Sequence, residues 1–285
     1  MLINGVAVGC IYGMIALGFV LIYKATEAVN FAQGDIMMLG AFAAFSIIAL
    51  MGFNYWVGLF GAILIMAVFG YALEALLLRP VIGQPQFAIV MLTIGLGFIF
   101  RTVAGAIWGH DPSAFYTPFT GKVASFGPLV IAQENLAIIV GTALLCLVLY
   151  LFFTRTRLGV AMQASSQNQL AAYYMGIPVK RVFSLIWAIS AGVAAVAGVL
   201  LSPLTLIDPG TMGFFGIKAF AAAVLGGFGS IPGALVGGII IGVVEQFAGR
   251  YLPAGFQETS AYLVLLLVLV LKPSGLFGQM AQKKV

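Results

Sequence analysis

Apolar runs long enough to cross a bilayer follow one another almost end to end, at about 2–23, 31–50, 57–78, 87–106, 134–153, 182–201, 216–229, 231–248 and 258–272. About 20 helical residues span the hydrocarbon layer. Inside it every backbone amide must be satisfied within its own segment or in a closed barrel. A barrel would show strands of about ten residues with alternating polarity, and these runs do not alternate. The chain is therefore read as an all-α polytopic membrane protein, a single transmembrane domain over 1–285. Charged residues make up 7% of it, against about 25% in soluble domains, too few to solvate a soluble surface. The run 216–229 is short and glycine-rich, so the expectation is about nine crossings, or eight if it is a re-entrant half-helix. Closely packed helices suit the 36 glycines. Cys10 and Cys146 lie inside apolar runs and read as packing residues. The first run starts at Leu2 with no basic leader, so no cleavable signal peptide is expected.

Lys and Arg set the orientation, because cytoplasmic loops carry the excess. With 154–181 in the cytoplasm, Lys24, Arg79, Arg155, Arg157, Lys180, Arg181, Lys272, Lys283 and Lys284 all fall inside, and only Lys122 and Arg250 lie clearly outside. The N-terminus is then outside and the C-terminus cytoplasmic. The net charge of +5 reports this topology and is not a nucleic-acid signal. The largest polar excursion on the outer side is 107–133, with His110, Asp111, Pro112, Pro118 and Pro128.

Two interruptions break the apolar pattern, one in each half. The first is "ATEAVNFAQGD" at 25–35; the second is Gly226-Gly227-Phe228-Gly229 ahead of Pro232. Broken helices persist in a membrane only where protein or a watery cavity satisfies the freed backbone, which points to a transport path. Asn30, Gln33, Gly34 and Asp35, with Gly226, Gly227 and Gly229, are the candidate lining. Two plainer readings stand beside it: a solvated helix start with Asp35 complementing the helix dipole, and a glycine turn that serves packing. Glu74 has Arg79 five residues on as a local partner. Glu245 is expected to pair with Arg250 or to line the outer mouth, and Arg101 needs a partner or the outer headgroups. No G-x-x-x-x-G-K-[ST] motif is present, the only Gly-Lys pair being Gly121-Lys122. One histidine and two separated cysteines offer neither a metal site nor a catalytic triad. The chain reads as a non-enzyme that binds no cofactor.

The polar stretch "TRLGVAMQASSQNQLAAYYMGIPVKRV" lies between two membrane-length runs. Ser166 and Gln169 have capping-box spacing, and Gly176 and Pro178 supply a stop. The spacing predicts a helix over about Gln167 to Met175, with Leu170 and Tyr174 one turn apart beside Ala171. So short a helix is marginal alone in water. It either docks a soluble partner or lies flat on headgroups. The second reading asks for Lys or Arg along the polar face, and 160–179 contains none.

Four blocks in order, "VNFAQGDIMMLGAFAAF", the polar stretch above, "AISAGVAAVAGVL" and "AAAVLGGFGSIPGALVGGIIIGVVE", resemble landmarks of the branched-chain amino acid ABC-transporter permeases. Asn30 to Gly34 is similar to the H-type of the two paired permeases. The resemblance implies an inner-membrane permease subunit of an ATP-driven importer for branched-chain or other hydrophobic amino acids. Relatives of such permeases handle urea, amides or aromatic acids, which is the alternative substrate reading; a self-sufficient secondary transporter or channel is the alternative of another class. It also implies an M-type permease partner, two ATPases that hydrolyse ATP with Mg, a periplasmic binding protein, and docking of the polar helix in an ATPase cleft. Gln167, Leu170, Ala171, Tyr174, Met175 and Gly176 are the expected coupling residues. The family usually has Arg at the position of Gln163 and an acid near Ser166 to Gln167; this chain has neither.

Overall fold

A bare stripe on the first helix fixes the centre of the molecule. The computed structural model describes residues 1–81, 84–126, 129–253 and 255–278. Helix α1 (Leu2–Thr26) carries Gly5, Gly9 and Gly13 at four-residue spacing, and α10 (Ile231–Tyr251) runs antiparallel against that stripe. A Cβ on Gly9 would stand 2.6 Å from Cα of Ile239, and one on Gly5 would stand 2.9 Å from Cα of Val243. Gly238 and Gly242 are the reciprocal gaps on α10. Two helices can approach this closely only where neither carries side chains at the crossing.

Seven helices among the described residues are long and apolar enough to cross a membrane. They are α1, α2 (Gln33–Phe45, extended by a π turn to Leu50), α3 (Tyr55–Leu73, continued to Val81), α4 (Gln86–Trp108), α5 (Gln133–Arg155), α8 (Val179–Leu201) and α10. Two shorter apolar helical stretches accompany them: Met212–Gly226, which contains α9 (Phe215–Gly226), and α11 (Phe256–Leu271). These segments fall on the runs read from the sequence, the short one at 216–229 included. Helices α1 and α8 are almost wholly enclosed, whereas α3, α4, α5 and α11 present broad apolar faces such as Phe60, Leu64, Leu144 and Leu266. A face of that kind is stable against acyl chains and not against water.

The 107–133 excursion folds more than its polarity suggested. β1 (Val123–Phe126) pairs antiparallel with β2 (Leu129–Ala132), and the Gln133 N–H closes the hairpin on the Lys122 carbonyl at 2.9 Å. The all-α expectation thus holds for the membrane-length segments and misses this small hairpin. Ser113, just beyond α4, pairs with Ile207 ahead of α9.

The polar stretch corrects the capping expectation. Thr156 caps an additional helix, α6 (Arg157–Gln167), by accepting from the Gly159 N–H at 3.0 Å. That helix takes up Ser166, whose hydroxyl donates to the Gln163 carbonyl. Asn168, extended at φ −154, is the cap of α7 (Gln169–Tyr174), its side chain accepting from the Ala171 N–H at 2.9 Å. Gly176 has φ 82, the left-handed stop expected of it, and Pro178 precedes α8. Pro128, Lys283 and Lys284 lie outside the described residues.

Candidate functional site

Residues 27–32 return the chain into the middle of the bundle before α2 begins. Glu27 ends α1 with φ 54, its N–H on the Tyr23 carbonyl. The stretch is then stitched to α4: Gln86 donates to the Glu27 carbonyl, and the Phe31 N–H donates to Thr93 Oγ1 at 3.2 Å. Gln33, the first residue of α2, meets Ser190, the midpoint of α8. Ser190 Oγ lies 3.3 Å from Gln33 Oε1 and 3.1 Å from the Gly18 carbonyl of α1. Asn30 Nδ2 donates to Gln33 Oε1 at 3.0 Å, and its own carbonyl-type oxygen accepts from the Ala32 N–H. Asn30, Gln33 and Ser190 are all buried. This is a satisfied polar junction at mid-bundle, and it does not fit the reading of a solvated helix start.

Asp35 is also buried, and it does more than complement a helix dipole. Arg101 Nε, from α4, donates to Asp35 Oδ1 at 2.6 Å, and Nη2 reaches Oδ2 at 3.4 Å. The sequence asked for a partner for Arg101, and Asp35 is that partner. Two glycines make room for the pair. A Cβ on Gly213 would lie 2.7 Å from Arg101 Nη2, and one on Gly97 would lie 2.5 Å from Asp35 Oδ2. Gly34 packs backbone to backbone against Gly216, its own hypothetical Cβ 2.8 Å from the Gly216 Cα. The starts of α2 and α9 therefore touch.

An aromatic file joins the two interrupted segments. Phe31 contacts Phe220 with ring centroids 5.2 Å apart, Phe220 contacts Phe228 at 5.6 Å, and Phe228 contacts Tyr23 at 4.8 Å. The three glycines of the second break differ in kind. Gly226 packs against Gly233 at the start of α10. Gly227 has φ 95, and its missing Cβ would lie 2.7 Å from the backbone nitrogen of Gly278. Gly229 is exposed with open space where its Cβ would be, so it takes no part in the close packing that Gly226, Gly227 and Gly233 make. The C-terminal stretch closes beneath this turn. The N–H groups of Leu276 and Phe277 donate to the Leu225 and Gly226 carbonyls at 2.8 and 3.1 Å, satisfying the end of α9.

Two further buried carboxylates have partners. Glu74 takes Arg79, as the spacing suggested, and also the Ser184 hydroxyl of α8. Glu245 is held by the Tyr12 hydroxyl and by Lys218 Nζ, each at 2.6 Å. Arg250 is not that partner: Lys218 of α9 faces Glu245 directly and takes the contact. Among the described residues no cluster of His, Cys, Asp or Glu could hold a metal ion.

The candidates in the polar stretch form a separate knob. Leu170, Ala171, Tyr174 and Met175 are exposed, with Met175 at 83%; Gln167 and Gly176 flank them. Tyr173, which the sequence reading left out, is exposed as well, and Ala172 alone turns inward. Gln169 fastens the knob to the bundle by donating to the Ala25 carbonyl at the end of α1, at 3.0 Å.

The whole chain has known counterparts. Residues 1–272 match the family model described as the branched-chain amino acid transport system permease component. The chain is similar to the high-affinity branched-chain amino acid transport system permease protein LivH of Escherichia coli strain K12, at 34% identity over 99% of this chain and 96% of that protein. The corresponding protein BraD of Pseudomonas aeruginosa is 34% identical, with 100% and 97% covered. Among solved structures, PsaBC from Streptococcus pneumoniae in complex with Fab shares the fold, with a TM-score of 0.51 at 15% identity over 96% of this chain and 92% of that one.

Proposed function

We infer the function from one premise: this chain belongs to the family of branched-chain amino acid transport system permease components. It is a multi-pass permease subunit of an importer. Its solute is a branched-chain or similarly apolar amino acid, as the names of its relatives suggest. It works in the inner membrane with a second, M-type permease, two ATPases that supply ATP hydrolysis, and a binding protein that delivers solute. The N-terminus is outside and the C-terminus cytoplasmic. The path runs past the junction of the two interrupted segments, Asn30 to Asp35 and Gly226 to Gly229.

The observation that carries the coupling role is the α7 knob. It is apolar, free of charge over 160–179, and fastened to α1 and α8 rather than laid on a basic, headgroup-seeking face. An ATPase that moves α7 pulls on the end of α1 through Gln169 and on α8 through Pro178. Ser190 of α8 bonds both Gln33 and the Gly18 carbonyl of α1, and the Gln33 side chain lies packed against Gly18 at mid-bundle. Gln33 opens α2, and Asp35 two residues later carries the tie to α4. The movement thus has a packed route from the cytoplasmic knob to the start of α2. Tyr174→Asp puts a charge on the knob, and Gly176→Val forces a β-branched residue to positive φ, a cost of about 1–3 kcal/mol. Both variants should insert and yet lose binding-protein-stimulated ATP hydrolysis by the complex. Normal stimulation in both would show that α7 is not the coupling element.

A further inference from the structure

The cations of two ion pairs, Lys218 and Arg101, each lie beside two aromatic rings, and of these two Arg101 is the more exposed and the one whose rings, Phe98 and Phe214, are themselves exposed. Seven residues separate it from Trp108 at the end of α4 and fifteen from Gln86 at its start, about 10 and 22 Å along the axis. That depth is within a layer about 30 Å thick. Its guanidinium carbon lies 5.6 Å from the centroid of Phe98 and 5.1 Å from that of Phe214, both exposed rings. The side chain remains 26% exposed while Asp35 behind it is 3% exposed. Nε and Nη2 are engaged by Asp35, and Nη1 has no hydrogen-bond partner among the described residues. A guanidinium at this depth with a quarter of its side chain uncovered would be costly against acyl chains, and intramembrane charges face a protein interior or a water-filled cavity. Ile217, one turn along α9 from Phe214, extends the same exposed apolar strip.

We propose that the Arg101 guanidinium, steadied by Asp35 and flanked by Phe98 and Phe214, is a holding point for the carboxylate of an apolar amino acid crossing the membrane. The chemistry suits an apolar carboxylate, the feature such an amino acid presents. A guanidinium offers five N–H donors and can serve two carboxylates along two edges; Asp35 takes one edge and leaves the other. The two rings beside the open edge supply the apolar surface that a branched side chain prefers to water. Gly97 and Gly213 leave the space in which the pair lies flat. The inference rests on the reading that this face borders the solute path.

The test uses the assembled importer in proteoliposomes, with Cys10 and Cys146 replaced by alanine and with Ile217→Cys as the reporter. A charged methanethiosulfonate reagent should label the reporter. L-leucine and 4-methylpentanoate should slow labelling at least fivefold, and leucinamide, which lacks the carboxylate, should not. The protection should vanish in Arg101→Gln. It should also vanish in Asp35→Asn with Arg101→Gln, which keeps the shape of the pair without its charge. The double variant separates lost binding from a lost fold: labelling without protection sustains the proposal, and retained protection overturns it. A reporter that never labels places the face against lipid or protein and overturns it too, as does equal protection by leucinamide. Leucine uptake without protection sinks this site alone. Carboxylate-dependent protection in an importer that moves no leucine sinks the transport reading and leaves the site standing.

Discussion

Replacing Lys218 by methionine should be among the most damaging single changes that leave the helices themselves untouched. Lys218 Nζ stands 2.6 Å from Glu245 Oε1, and Glu245 is 4% exposed. Two unit charges at that separation attract by about 6 kcal/mol at an effective dielectric constant of 20. Much of this offsets the desolvation of both groups, so the pair itself contributes little net stability. Removal of one partner is different, because the carboxylate then stays buried with only the Tyr12 hydroxyl. Breaking a buried pair in this way costs about 3–5 kcal/mol. Lys218→Met should lower the unfolding free energy by that amount, measured in mixed micelles titrated with sodium dodecyl sulfate. Lys218→Met combined with Glu245→Gln removes the orphaned charge and should recover to within about 1 kcal/mol of the parent, since swapping a whole buried pair for neutral groups is often nearly neutral. Arg250→Met should change stability by less than about 0.5 kcal/mol, as is usual for surface sites. A Lys218→Met protein as stable as the parent, or a double variant no better than the single, would refute the argument.

Gly9→Ala should destabilise by about 1–3 kcal/mol in the same assay through overpacking against Ile239, while Gly95→Ala, with open space at its Cβ, should not. Gly227→Leu should stall uptake because it adds both a positive-φ penalty and a clash with the C-terminal stretch; Gly229→Leu should transport normally, and equal loss in both would show that this packing contrast does not decide transport. Single cysteines at Gln167 and Tyr116, both exposed, should react with an impermeant thiol reagent from opposite faces of the membrane, and labelling from one face would end the proposed orientation.

The membrane helices were legible because burial in lipid needs no partner: each apolar run states its own requirement. Pairings were not. Arg101 announced an unmet need, but Asp35 lies 66 residues away, and nothing local ranks it above headgroups as the answer. Glu245 was matched to Arg250 by proximity in sequence, whereas its cation is on a neighbouring helix. Ser190 gave no signal at all, since a serine in a helix can satisfy itself on its own backbone; its role appears only once Gln33 is set against it. The capping error had a local cause. Ser166 and Asn168 are both good caps two residues apart, and the choice fell to Asn168 because α6 had already taken up Ser166. Tyr173 was overlooked because four-residue spacing picks Leu170 and Tyr174, while a six-residue helix shows solvent nearly every side except that of Ala172.

Helix α9 has a further consequence, for the order in which the chain is built. Its 12 residues make about 18 Å of helix, well short of a hydrocarbon layer about 30 Å thick. Three residues after its start stands a lysine whose one anionic contact among the described residues, Glu245, is on α10. A nascent chain that has reached Ser230 therefore holds a helix shorter than the hydrocarbon layer and a lysine whose carboxylate partner has yet to be made. The glycine stripe of α1 is already in the membrane by then, but its counterpart has yet to be synthesised. When α10 emerges it brings both the matching glycines and the carboxylate, and α9 packs against α1 and α10 together. The centre of the bundle thus lacks both its matching glycines and the carboxylate for Lys218 until α10 has been made.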